Sequence, residues 1–201
     1  MNKKIKPAAI LFDMDGVLVD SLDSWWKSLN HSLKKHNQKE ITRDEFIEKF
    51  WGHDLYWNLE KNNLDLKVGK FCNVIYHNYT YKVKIYKTTK ETLEKLSPYK
   101  KCVITNTPRD CTDKILKNLD IRKYFDFILT SDDVSIAKPD PEIVLKACDR
   151  FNLDPSEVVL VGDTESDIKA GKKAGCKIIG VNIQADYKIN NLREIFKIIE
   201  I

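Results

Sequence analysis

No apolar run in this 201-residue chain approaches the length that spans a bilayer. The run nearest the N-terminus stops at Asp13, too early for the core of a secretory signal. The expectation is a cytoplasmic protein with no membrane partner. Cysteine is sparse and unpaired: Cys72, Cys102, Cys111, Cys148 and Cys176 are odd in number and form no C-x-x-C. That argues against a disulfide framework or a zinc site and for reduced, buried thiols. An excess of one charge is also missing, since 34 Lys and Arg face 30 Asp and Glu for a net +4. A small surplus spread along the chain is no nucleic-acid footprint, so Lys34-Lys35 and Lys172-Lys173 read as solvated helix faces. Internal repeats and low-complexity tracts are absent. What is present, 42% hydrophobic and 32% charged residues, is the composition of a soluble globular protein. Its length suits one good core, or a core with a small second domain.

From about residue 90 onward, short apolar runs alternate with amphipathic stretches. The runs are 101–105, 125–129, 158–162 and 176–181, joined by Ala8 to Phe12 at the start. Between them, 109–119, 141–151 and 165–175 repeat their apolar positions at three and four. This alternation predicts an α/β fold with a Rossmann-like parallel sheet and helices on both faces. Asp140-Pro141 and Thr107-Pro108 read as helix N-caps followed by proline, and a last helix is expected from about Leu192 to Ile199.

Residues 21–86 break the rhythm. Helical spacing recurs in 24–36, 43–51, 54–63 and 69–79, with at most one strand in 81–86. All four tryptophans and all four histidines fall here. The expected division is a core from 1–20 and 87–201, with 21–86 as an inserted helical module.

In an open parallel sheet, ligands gather at the carboxyl ends of the strands. Those ends here supply Asp13 and Asp15, then Thr105 and Asn106, then Asp163 and Asp167, with Lys138 from the loop 131–142. Alone, each is bland: D-x-D-G makes polar turns, Thr164 to Asp167 a helix cap, Lys138 a surface charge. Together they would crowd four carboxylates into one crevice. Two unit charges about 4 Å apart repel by about 4 kcal/mol at an effective dielectric near 20, so the crevice needs cations. All-oxygen ligands fit Mg²⁺, which binds one or two carboxylates together with a substrate phosphate. Thr105, the helix start after 105–108 and Lys138 would cradle that phosphate. A carboxylate at Asp13 could then attack phosphorus, with Asp15 two residues on as its proton partner and Gly16 letting the chain bend.

The stretches ILFDMDGVLVDS, VITNT, AKPDPE and VVLVGDTESD resemble, in order, the four motifs of the haloacid dehalogenase (HAD) superfamily, in its phosphatase branch. The insert resembles that branch's α-helical C1 cap, so the likeness spans the chain, and the nearest named types are phosphoglycolate phosphatase and β-phosphoglucomutase. The resemblance implies that Asp13 is the nucleophile and Asp15 the general acid/base. Thr105 would bind phosphoryl oxygens with Asn106 beside it, and Lys138 would stabilise the charge between them. Mg²⁺ would sit on Asp13, Asp163 and the Asp15 backbone carbonyl, with Asp167 holding a metal-bound water. FWGHDLYW falls where the branch carries its cap specificity loop, which makes Trp51, Gly52 and His53 candidate substrate contacts. Trp25, Trp26 and Trp57 are expected mainly to pack.

The resemblance also separates activities. Dehalogenases and the phosphonate-cleaving branch lack the second aspartate, so Asp15 favours a phosphatase acting on a small phosphorylated metabolite, phosphoglycolate first. In the mutase a histidine lies twelve residues after the nucleophile; here that position is Trp25, which favours water as acceptor. A β-phosphoglucomutase-like phosphotransferase and a non-catalytic phosphometabolite-binding protein are the alternatives. The return from the insert lacks the branch's frequent Pro-Gly turn, which leaves the border near 83–88 open, and no oligomeric state is implied.

Overall fold

The computed structural model describes residues 4–201. Strand β1 (Ala9–Phe12) is buried at every position, and a strand with no polar side must be covered on both faces. It pairs in parallel with β4 (Lys100–Ile104) on one flank and β6 (Val158–Gly162) on the other. Beyond β4 lies β5 (Phe127–Leu129); beyond β6 lie β7 (Lys177–Val181) and β8 (Tyr187–Ile189). The order is β5-β4-β1-β6-β7-β8, all parallel, which is the α/β architecture the sequence predicts.

Alternate side chains feed two apolar layers. Ile10, Phe12, Val103 and Val161 point into one, together with Ile115 and Leu116 of α6 (Arg109–Asn118). Leu11, Cys102, Ile104 and Leu160 point into the other, against Ile143, Val144 and Ala147 of α7 (Glu142–Phe151). Phe12 is level with both Val103 and Val161. Asp13, Thr105 and Asp163 therefore leave the sheet along one edge. All five cysteines are free and buried, as expected. No helix among the described residues is long and apolar enough to cross a membrane.

Between β1 and β4 the chain builds a third apolar cluster of its own. Helices α1 (Leu22–Lys35), α2 (Arg43–Lys49), α3 (Leu55–Lys61) and α4 (Leu66–Tyr79) bury Leu29, Leu33, Phe46, Phe50, Leu59, Val68 and Cys72 together. Each of α2, α3 and α4 starts on a side-chain cap, from Thr42, Asp54 and Asp65. The chain enters and leaves this segment through a short antiparallel pair, β2 (Val19–Asp20) with β3 (Lys84–Ile85), before α5 (Thr89–Lys95).

The structure departs from the sequence reading at several places. The last expected helix is a 3₁₀ segment, Leu192–Lys197, whose inward residues Leu192 and Ile195 sit three apart, the period at which a 3₁₀ helix stacks its side chains. Thr107 does not cap α6: its hydroxyl points elsewhere, and Asp132 accepts from the Arg109 N–H at 2.7 Å instead. Asp140 is not the N-cap of α7 either: Pro141 occupies that position, one residue later than expected, and Asp140 stands before it, accepting from Glu142 N–H at 3.0 Å. Trp57 is 44% exposed rather than packed. Strand β8 has no counterpart in the sequence reading, because three residues carry too little alternation to register.

Candidate active site

Asp13 is buried immediately beyond β1, and Lys138 reaches it from the loop ahead of α7. The Lys138 ammonium donates to Asp13 Oδ1 and to Asp167 Oδ1, each at 2.7 Å, and to the Ile104 carbonyl at 3.2 Å. The lysine is placed by Asn106, whose amide clasps its backbone: Nδ2 donates to the Lys138 carbonyl at 2.9 Å and Oδ1 accepts from its N–H at 3.0 Å. Asn106 is thus spent on positioning Lys138, although it borders the same cavity. Two carboxylates about one cation hold Lys138 charged, its pKa raised despite the opposing effect of burial.

Asp167 serves two structures at once. It closes the capping box of α8 (Glu165–Ala174), accepting from the Thr164 hydroxyl at 2.6 Å and the Thr164 N–H at 3.1 Å, while its other oxygen receives Lys138. The helix cap and the charged centre are one feature.

Asp163 is less well satisfied. Its Oδ2 accepts only a long 3.4 Å bond from the Trp51 indole, and Oδ1 is buried without a partner among the described residues. Burial raises its pKa well above the usual carboxylate range, helped by the charges on Asp13 and Asp167. Burial likewise pushes Asp13 up to about 8 against the pull of Lys138, with Asp167 and Asp15 adding to the rise. Oxygens of Asp13, Asp163 and Asp167 lie within 4.8 Å of one another. An orphaned buried carboxylate oxygen in an all-oxygen cluster is what a hard divalent cation would satisfy, so these residues fit one. Gly16 makes the approach possible: its φ is +84°, and a Cβ there would lie 2.0 Å from Asp163 Oδ2.

Asp15 sits in a ring of hydroxyls. Thr107 donates to Oδ2 at 2.7 Å and Thr105 at 3.3 Å, while Oδ1 accepts a short bond from Ser21 and faces the Tyr76 hydroxyl at 3.5 Å. Tyr76 stays protonated, its pKa raised by burial and then by Asp15. Sequence reading misses Ser21, Tyr76 and Thr107. The first two fall in or beside the insert, where they look like a cap and core, and the third is the apparent cap of α6.

The cavity above these groups is walled by the helical segment. Trp25, Phe46, Phe50, Trp51, Gly52, His53 and Leu55 line it together with Asp13, Asp15, Thr105, Asn106, Lys138 and Thr164. The turn between α2 and α3 presses on the sheet edge: His53 Nδ1 lies 3.2 Å from Ser166 Oγ, and Gly52 lies against Thr164. Trp25 stacks on Tyr76 with ring centroids 3.6 Å apart, so it packs and lines the cavity together. Trp26 only packs, donating to the Ile41 carbonyl at 3.0 Å.

Residues 10–181 match the sequence pattern of one family, haloacid dehalogenase-like hydrolase. Pyrophosphatase PpaX of Bacillus velezensis is 35% identical over 178 residues, which cover 86% of this chain and 82% of that one. A Haemophilus somnus structure described as a predicted phosphoglycolate phosphatase superposes with a TM-score of 0.81 at 26% identity, covering 97% of this chain and 99% of the other. A Lactobacillus plantarum structure reaches a TM-score of 0.89 at 15% identity over 96% of this chain and 99% of its own, a likeness of fold alone. The match extends from β1, just ahead of Asp13, through β6, just ahead of Asp163, to Val181, and the chain belongs to the haloacid dehalogenase-like hydrolases.

Proposed function

We propose that this hydrolase is a Mg²⁺-dependent phosphatase that cleaves a small phosphomonoester through an aspartyl-phosphate on Asp13. The observation that carries the reading is the buried set of Asp13, Lys138 and Asp167 beside the orphaned Asp163 oxygen. With Lys138 holding Asp13 Oδ1, Oδ2 is the oxygen that attacks phosphorus. The ester P–O bond breaks, its electron pair stays on the leaving oxygen, and Asp15 gives that oxygen a proton. Asp15 then takes a proton from water, whose oxygen attacks phosphorus and releases Asp13 and phosphate. Thr105 and Lys138 face the phosphoryl oxygens, and Asn106 keeps Lys138 in place.

Asp13, Asp163 and the Asp15 carbonyl would hold Mg²⁺, supported by Asp167, and the ion would supply positive charge that lets an anionic phosphoryl group approach a carboxylate. Residues 21–86 are proposed as a cap over a core of 1–20 and 87–201, with Trp51, Gly52 and His53 on the substrate side. Closure of such a cap excludes water from the first transfer. Pyrophosphate and phosphoglycolate, named for the relatives, are the reference substrates.

The test is phosphate release from a panel of small phosphate esters with Mg²⁺ and with chelator, for wild type and Asp13→Asn in parallel. Metal-dependent release lost in the variant supports the reading. Release that survives in Asp13→Asn overturns it.

A further inference from the structure

The two parts of the chain that line the cavity differ in charge. Among the described lining residues only Lys138 is permanently positive, and its ammonium is already shared by Asp13 and Asp167. The helical segment contributes Trp25, Phe46, Phe50, Trp51, His53 and Leu55 to the wall. Burial, and then Lys169 and Lys61, lower the His53 pKa and so favour its uncharged form. Those lysines are engaged outside the cavity, Lys169 with Glu165 at 2.8 Å and Lys61 over the Trp57 ring at 4.6 Å. Trp25, held within 11° of parallel to Tyr76, presents a fixed aromatic surface.

We infer that the leaving group of the substrate is uncharged and carries a flat aromatic portion, so that the substrate class is a phosphomonoester of an aromatic-bearing alcohol rather than pyrophosphate or a phosphorylated carboxylic acid. The inference rests on the phosphatase reading above and adds the leaving group to it. A carboxylate or second phosphate set against these walls gives up its water and meets no free cation, the costliest kind of polar transfer. A ring gives up little hydration and gains stacked or edge contacts with indole and phenyl groups. The polar positions near the wall, Asn106 and Thr164, are committed to Lys138 and Asp167, which leaves the aromatic surface to set preference.

The experiment is kcat/KM of the wild-type enzyme with Mg²⁺ on benzyl phosphate, propyl phosphate, phosphoglycolate and pyrophosphate, with acetyl phosphate as a reactive control. Benzyl and propyl phosphate are both alkyl esters, so the ring is their main difference. Benzyl phosphate is expected to lead each of the other three at least about tenfold, the effect of about 1.4 kcal/mol in the transition state. Phosphoglycolate or pyrophosphate in the lead, or benzyl phosphate no better than propyl phosphate, overturns the inference while leaving the phosphatase reading intact. Release from none of the five overturns both. As the converse test, Leu55→Arg adds the missing cation to the wall and is expected to raise phosphoglycolate relative to benzyl phosphate about tenfold. An unchanged ratio in the folded variant overturns the inference.

Discussion

The Thr107 hydroxyl donates to Asp15 Oδ2 at 2.7 Å, although Thr107 stands where a helix cap is expected. If Asp15 handles the leaving-group proton, Thr107 sets its direction. Thr107→Val keeps the shape and removes the donor, and a hydrogen bond to a charged group contributes about 1.5–3 kcal/mol. The expected result is a fall in kcat of about tenfold or more on alkyl phosphates, with a smaller fall on p-nitrophenyl phosphate, whose leaving group needs less help from a proton. Equal losses on both would mean that Thr107 does not act through Asp15.

Asp13→Asn is expected to remove turnover, by on the order of 10⁴-fold or more, as loss of a nucleophile does elsewhere. The variant should still fold, because Lys138 keeps Asp167 as a partner at 2.7 Å and an amide replaces a carboxyl of nearly equal volume. A thermal melt alongside the rate assay separates the two effects. A rate near wild type would remove Asp13 from the chemistry.

How much of this was legible beforehand follows from what each residue must do. Asp13, Thr105 and Asp163 could be placed from sequence because short buried strands announce themselves and their ends share one edge. Lys138 could not be placed by periodicity; it entered from the loop 131–142 as the cation the carboxylates need, and the order of motifs then gave it a role. Asn106 was legible as a site residue but not in its direction, since nothing local shows that its amide will clasp a backbone 32 residues on. Ser21 and Tyr76 were illegible as partners of Asp15. Tyr76 is fully buried on α4, and an aromatic at a core position of an amphipathic helix gives no sign that its hydroxyl faces a carboxylate 61 residues away.

The orphaned Asp163 oxygen predicts how the protein responds to metal. At a Mg²⁺ concentration a hundred times Kd, binding adds about 2.7 kcal/mol, about 5–10 °C in Tm for a chain of this size. Asp163→Asn should lose most of that shift, yet melt higher than wild type in chelator, because it removes an unpaired buried carboxylate. In chelator pH matters as well. The folded-state pKa values of Asp163 and Asp13 are both raised. Such groups contribute stability that is complete below the unfolded value of about 3.9 and is lost as pH rises to the folded value, about 8 for Asp13. Metal-free wild type is therefore expected to lose more Tm than Asp163→Asn between about pH 5 and about pH 8. Identical slopes would show that Asp163 is not buried as an unmet charge.

Gly52 tests how closely the helical segment must seat on the sheet edge. Its φ is +85°, and an added Cβ would stand 2.7 Å from the Thr164 methyl and 2.8 Å from Thr164 Cβ. Gly52→Ala therefore faces two penalties: a left-handed backbone, about 1–2 kcal/mol for a residue with a Cβ, and a clash that pushes the turn carrying Trp51 and His53 away from Thr164. The first lowers stability alone; the second opens the cavity and should raise KM and lower kcat together. Thr164→Ser separates them, because it deletes the clashing methyl while keeping the hydroxyl that bonds Asp167 at 2.6 Å. The double variant is expected to regain part of the lost kcat/KM without regaining the lost Tm. Recovery of neither would show that the Thr164 methyl is not what limits the seating of this turn.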